Sequence, residues 1–146
     1  MMRYRILLLI ATICMAIGME AQVDSVNTAA ITPDQESVKK EAEEDYQKGN
    51  KFWKAKDIDK ALTYYGKAAE AGHAEAQYIL GLLYIEGKKV LQNYDLGIEL
   101  LTKAGLQGHK DAQFNLASIY YQGKIVEKDP KQAEFWAKKY KDLPVE

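Results

Sequence analysis

Shifted by 36 residues, the second half of the chain falls into register with its own continuation. Ala76-Gln77 meets Ala112-Gln113, Leu80 meets Leu116 and Tyr84 meets Tyr120. Gly87 meets Gly123, Lys88 meets Lys124 and Val90 meets Val126. The same offset carries Lys67-Ala68 onto Lys103-Ala104 and Gly72-His73 onto Gly108-His109. A period of this length marks a stacked repeat, in which no unit can bury its apolar face alone and each covers its neighbour's. This feature constrains the fold more than any other in the sequence.

Each unit reads as two helices. Ala76, Ile79, Leu80, Leu83 and Tyr84 recur at i, i+3, i+4, i+7 and i+8, one apolar stripe over about Ala74 to Glu86, with Gly87 as the stop. A second helix spans about Tyr94 to Leu106 and is closed by Gly108. The third unit repeats the plan with Ala112, Leu116, Ile119 and Tyr120, stopped at Gly123. Asp129-Pro130 then opens a last helix, whose apolar face is Ala133, Trp136, Ala137 and Tyr140. Ahead of these lies a divergent unit. Its first helix, about Gln35 to Ala55, carries Glu41, Glu43, Glu44 and Asp45; its second spans about Asp59 to Ala71. An end unit needs a polar outer surface, so the acidic cluster reads as a solvated cap, with an acidic docking patch as the alternative. Small residues recur at two positions, Gly49/Gly81/Ala117 and Ala61/Gly97/Ala133, where close helix approach is expected.

The start of the chain is an address rather than a fold. Arg3 and Arg5 precede Ile6–Met19, an uncharged run that as a helix would reach about 21 Å, short of a bilayer core. Residues 1–21 read as a signal peptide cut after Ala21, with a cut after Gly18 as the alternative. Residues 22–36 read as a flexible lead-in, and 37–146 as the repeat domain, with units of about 40–73, 74–109 and 110–143. Cys14 follows Ile13 and lacks the small preceding residue a lipidation site requires. Removing the leader removes this single thiol, and with it any disulfide or thiolate site. The expected location is periplasmic or extracellular. A retained leader would instead make a membrane-tethered protein; a cleaved one leaves no stable membrane insertion. The whole chain has 20 basic and 21 acidic residues, a balance that argues against nucleic-acid binding.

AEAQYILGLLYIEGKKV, NYDLGIELLTKAGLQGH and DAQFNLASIYYQGKIVEKDPKQAEFWAKK together resemble the Sel-one-like repeat, a relative of the tetratricopeptide repeat, over about residues 40–143. The first unit, with Gly49, Phe52, Ala61, Tyr65 and Ala68, is more similar to a plain tetratricopeptide copy with a shorter turn at Lys56-Asp57-Ile58. It has Asp45 and Lys48 where large apolar residues are expected. The resemblance implies an all-α fold, a short right-handed solenoid of antiparallel helix pairs, and a scaffold that binds protein or peptide. It also implies that the first helix of each unit lines a concave wall. Position by position, that wall would comprise Tyr46, Tyr78 and Phe114 in one row and Trp53, Ile85 and Tyr121 in another. Asn50, Leu82 and Ser118 would lie between them.

A search for chemistry returns little. There is no His-Glu-x-x-His, no Gly-x-Ser-x-Gly and no phosphate-binding glycine loop. His73 and His109 are repeat equivalents, expected about 10 Å apart and so too distant to share a metal. Glu75 and Asp111 beside them would make only two-ligand sites. No catalytic residue, metal or cofactor is assigned. The expectation is a non-catalytic scaffold for an unidentified protein or peptide, with a membrane-tethered assembly factor and a cell-wall or peptide hydrolase as alternatives. A three-unit stack also leaves room for end-to-end pairing of copies.

Overall fold

The computed structural model describes residues 33–142. The leader, its cleavage sites, Cys14 and most of the lead-in lie outside the described residues. Within the described residues six helices succeed one another: α1 Pro33–Lys54, α2 Ile58–Glu70, α3 Ala74–Glu86, α4 Tyr94–Leu106, α5 Lys110–Gln122 and α6 Pro130–Lys141. Among the described residues there is no strand. The α1 helix begins earlier than expected, so residues 33–36 of the lead-in form its first turn.

Helices pair within units, α1 with α2, α3 with α4 and α5 with α6, and units join through α2 on α3 and α4 on α5. The sequence sets each boundary. Asp57, His73, Asn93, His109 and Asp129 each accept a hydrogen bond on the side chain from a backbone N–H of the first turn they precede. Gly87 and Gly123 end α3 and α5 in the left-handed conformation, both with φ of 66°. The long turns after them are closed by Asn93 N–H on the Tyr84 carbonyl and Asp129 N–H on the Tyr120 carbonyl, at 3.0 and 3.1 Å. The first unit replaces that turn with a three-residue one, in which Lys56 takes the left-handed position at φ 63°.

Two apolar clusters hold the stack. The first joins Ala61, Tyr65, Ala68 and Ala69 of α2 to Ala76, Leu80 and Leu83 of α3. The second joins Ile98, Leu101 and Ala104 of α4 to Ala112 and Leu116 of α5 and Trp136 of α6. Small residues sit where helices cross. A Cβ on Gly97 would lie 2.9 Å from the Gly81 carbonyl oxygen and 2.6 Å from Ile85 Cγ1. One on Gly49 would strike the Tyr65 ring at 2.6 Å.

Asp45 departs from the expected solvated cap: it is buried, and its carboxylate meets Lys48 Nζ at 3.0 Å. Its neighbours Glu41, Glu43 and Glu44 are exposed. Tyr140, expected on the apolar face of the last helix, is 44% exposed, and Trp136 is the large residue that helix buries.

Candidate functional site

The junctions between units are built by a recurring cluster. His73 caps α3, its Nδ1 accepting from Ala76 N–H at 3.2 Å. That fixes the neutral tautomer with the proton on Nε2, which points back one unit to the Glu43 carboxylate at 2.8 Å. The imidazole lies stacked on Tyr46, with ring centroids 4.4 Å apart. The next junction repeats the arrangement. His109 Nδ1 accepts from Ala112 N–H at 3.3 Å, Nε2 meets Glu75 at 2.8 Å, and the ring stacks on Tyr78 at 4.4 Å. Each histidine therefore ties the start of one unit to an acid and an aromatic, three residues apart, on the first helix of the unit before it. The carboxylate partner comes from the preceding unit in both cases, and the histidines serve as first-turn structure. Among the described residues, no three potential ligands are grouped to hold a metal.

A buried glutamine completes each junction. Gln77 Nε2 donates to the Ala69 carbonyl at 2.9 Å, and its Oε1 accepts from Gln107 at 2.8 Å. Gln113 Nε2 donates likewise to the Gly105 carbonyl at 2.8 Å, but its buried Oε1 has no partner among the described residues. The position equivalent to Gln107 is Leu143, which carries no donor.

These contacts account for most of the proposed wall. Tyr46 stacks on His73, and Trp53 lies 6.3 Å from Tyr65 against the first cluster. Asn50 Oδ1 accepts from the Tyr65 hydroxyl at 2.8 Å. Tyr78 stacks on His109, and Leu82 and Ile85 pack on the second cluster. All six are half-buried; Tyr46 and Tyr78 stack on the histidine of the next unit, whereas Asn50 and Trp53 pack on Tyr65 of their own unit. Of the aromatics in the expected rows, Phe114 and Tyr121 are the exposed ones, and Tyr46, Trp53 and Tyr78 are partly covered. The remaining three, Phe114, Ser118 and Tyr121, come together on the last unit.

There they line an apolar groove of about 650 Å³ between α5 and α6. Phe114, Ala117, Ser118 and Tyr121 form one wall; Ala133, Ala137 and Tyr140 supply the apolar part of the other. Phe114 is 58% and Tyr121 68% exposed. The Phe114 ring meets Tyr140 at 5.8 Å, and Lys128 Nζ lies 5.2 Å over the Tyr121 ring. Sequence reasoning missed the α6 wall. Its signal is the repeat itself: the wall residues Ala137 and Tyr140 are the equivalents of Leu101 and Ala104, which α5 covers one unit earlier.

The opposite end is different in kind. A hollow of about 530 Å³ between α1 and α2 is bordered by Glu41, Asp45, Lys48, Lys67 and Glu70 around Tyr64. Lys48 and Lys67 Nζ stand 5.6 and 5.4 Å over the Tyr64 ring.

Helix pairs in a periodic stack, with a charged hollow in the first described unit and an apolar groove in the last, define a helical-repeat scaffold. The Sel1 repeat model matches residues 43–73, 74–109 and 110–140, and the chain belongs to the Sel1 repeat family. Among solved structures it is similar to a protective antigen of uropathogenic Escherichia coli strains displaying an SLR fold. That similarity has a TM-score of 0.65 and 30% identity, over 74% of this chain and 25% of the other. It is also similar to a Sel1 repeat protein from Oxalobacter formigenes, with a TM-score of 0.65 and 28% identity, over 77% of this chain and 45% of the other. The chain therefore spans less than half the length of either. No curated protein matches it.

Proposed function

We propose that this chain is an exported, non-catalytic adaptor that holds a polypeptide in the apolar groove between α5 and α6. Sel1 repeats serve in general as scaffolds for protein–protein interaction. The observation that carries the more specific reading is the groove itself. Two aromatic rings, Phe114 and Tyr121, stand largely exposed and share one apolar groove with Ala117, Ala133, Ala137 and Tyr140. Export rests on the basic, apolar and small-residue succession of residues 1–21.

The test is the double substitution Phe114→Ser/Tyr121→Ser in the chain comprising residues 22–146. Both side chains are exposed, so helicity and cooperative melting should be retained. Proteins that the unaltered chain retains from a cell-envelope extract should be lost. Retention of the same set by the double variant overturns the groove assignment. N-terminal sequencing of the exported protein tests the address: a start at Gln22 supports cleavage, and an intact Met1 indicates tethering.

A further inference from the structure

The groove has an internal precedent, because the same position in the preceding units is filled. The first helix of each succeeding unit lies there, entering with a histidine at its cap. His73 and His109 lead into the same spacing of buried residues, alanine at the third position, glutamine at the fourth and leucine at the seventh: Ala76, Gln77 and Leu80, then Ala112, Gln113 and Leu116. The receiving side is equally regular. Glu43 with Tyr46 receives His73, and Glu75 with Tyr78 receives His109. One repeat further on, the equivalent pair is Asp111 with Phe114. Both are exposed, and 36 residues after His109 the sequence carries Val145 instead of a histidine.

Resting on the groove reading above, we propose that the open end of the stack receives a histidine-capped amphipathic helix of the form His-x-x-Ala-Gln-x-x-Leu from a partner chain. The imidazole stacks on Phe114 and donates from Nε2 to the Asp111 carboxylate. The small and apolar residues of the helix then descend along Ala117, Tyr121 and Ala137. Asp111 is one methylene shorter than Glu43 and Glu75, so the incoming cap sits correspondingly closer to α5. The groove continues an interface the chain already forms twice, and this continuity selects the occupant. A second copy of the chain does not supply it. Its two helices of this form, α3 and α5, are already buried in their own stack. Its leading helix α1 carries Glu41, Glu44, Asp45 and Lys48 at the histidine, alanine, glutamine and leucine positions.

The probe is a peptide of residues 107–122, labelled at its N-terminus and held helical by a lactam between positions 114 and 118. Those positions face away from the groove being filled. It is titrated into the chain of residues 22–146 and monitored by fluorescence anisotropy. Saturable binding is expected, abolished by Tyr121→Asp in the protein. Replacing the peptide histidine by alanine should weaken binding at least fivefold. Asp111→Asn in the protein should weaken it to a similar degree, and the two changes together should cost no more than either alone. Equal affinity of the histidine and alanine peptides overturns the histidine-based recognition. No binding of the peptide, with envelope partners still lost from the Phe114→Ser/Tyr121→Ser variant, overturns this occupant and leaves the groove. Failure of both experiments removes the groove as well.

Discussion

Single residues mark where the chain departs from its own pattern. Lys56 holds the left-handed turn of the first unit at φ 63°, a conformation that crowds its Cβ. Its backbone N–H and that of Asp57 close the turn on Trp53 and Phe52 at 3.0 Å each, contacts that any residue can keep. Lys56→Gly should therefore raise stability, by about 0.5–1 kcal/mol after its greater freedom in the unfolded chain is allowed for. Urea denaturation reads this directly, and a lower midpoint would contradict it. Glu43 links residue chemistry to pH. Its carboxylate is held below the ordinary value near 4.5, first by the Gln47 hydrogen bond and then by the one from His73. A depressed carboxylate stabilises the fold above its unfolded pKa, and the contribution disappears as pH falls through the folded value. Because Glu43 is more than half exposed, the effect should stay within about 0.5 kcal/mol. In Glu43→Gln, stability should fall less steeply below pH 4.5, as measured by acid titration of the helical signal. An unchanged slope would mean that the carboxylate charge is not coupled to folding.

Helices were legible in the sequence almost to the residue for α3 and α4, because capping residues and an apolar stripe coincide at their ends. The relation between helices was less legible. The histidines were visible as repeat equivalents, yet their partners lie one unit back, and no local spacing reports a contact across 30 or 34 residues. The aromatic rows were legible as positions but not as exposed surface. Tyr46, Tyr78 and Ile85 are covered by the next helices of the stack, and Phe114 and Tyr121 stand exposed on the final unit. Packing between units also trades volume in a way that only the structure reveals. Ala69 and Leu100 in the first junction correspond to Gly105 and Trp136 in the second. A Cβ on Gly105 would stand 2.9 Å from Trp136 Cζ3. Alanine gains about 1 kcal/mol over glycine in helix propensity, whereas overpacking against a buried ring costs about 1–3 kcal/mol. Gly105→Ala should therefore be neutral to destabilising alone and stabilising by about 1 kcal/mol in a Trp136→Leu background. A double-mutant cycle in urea gives the coupling, and additive free energies would show that the pair does not share its space.

The first and last units of the described stack differ in what they can assemble with. Head-to-tail stacking would require α1 of one copy to enter the α5–α6 groove of another. It would bring Glu41, Glu44, Asp45 and Lys48 against Phe114, Tyr121 and Ala137, burying charge without matching partners. It would also have to accommodate the part of α1 from Pro33 to Lys40, which precedes the position where α3 and α5 are capped. The charged face of α1 should thus oppose growth of an open filament, the usual outcome when a surface fits a different surface of its own kind. End-to-end pairing, open on sequence grounds, is disfavoured by this asymmetry, and residues 22–146 should sediment as a single monomeric species. The barrier is specific enough to remove. A chain shortened to begin at residue 40 and carrying Glu41→His, Glu44→Ala, Asp45→Gln and Lys48→Leu presents the junction pattern at its free end. It should self-associate with concentration in sedimentation velocity, and Tyr121→Asp should return it to monomer. A redesigned chain that stays monomeric would mean that the groove does not accept the helix its own repeat prescribes. Association insensitive to Tyr121→Asp would place the contact somewhere other than the α5–α6 groove.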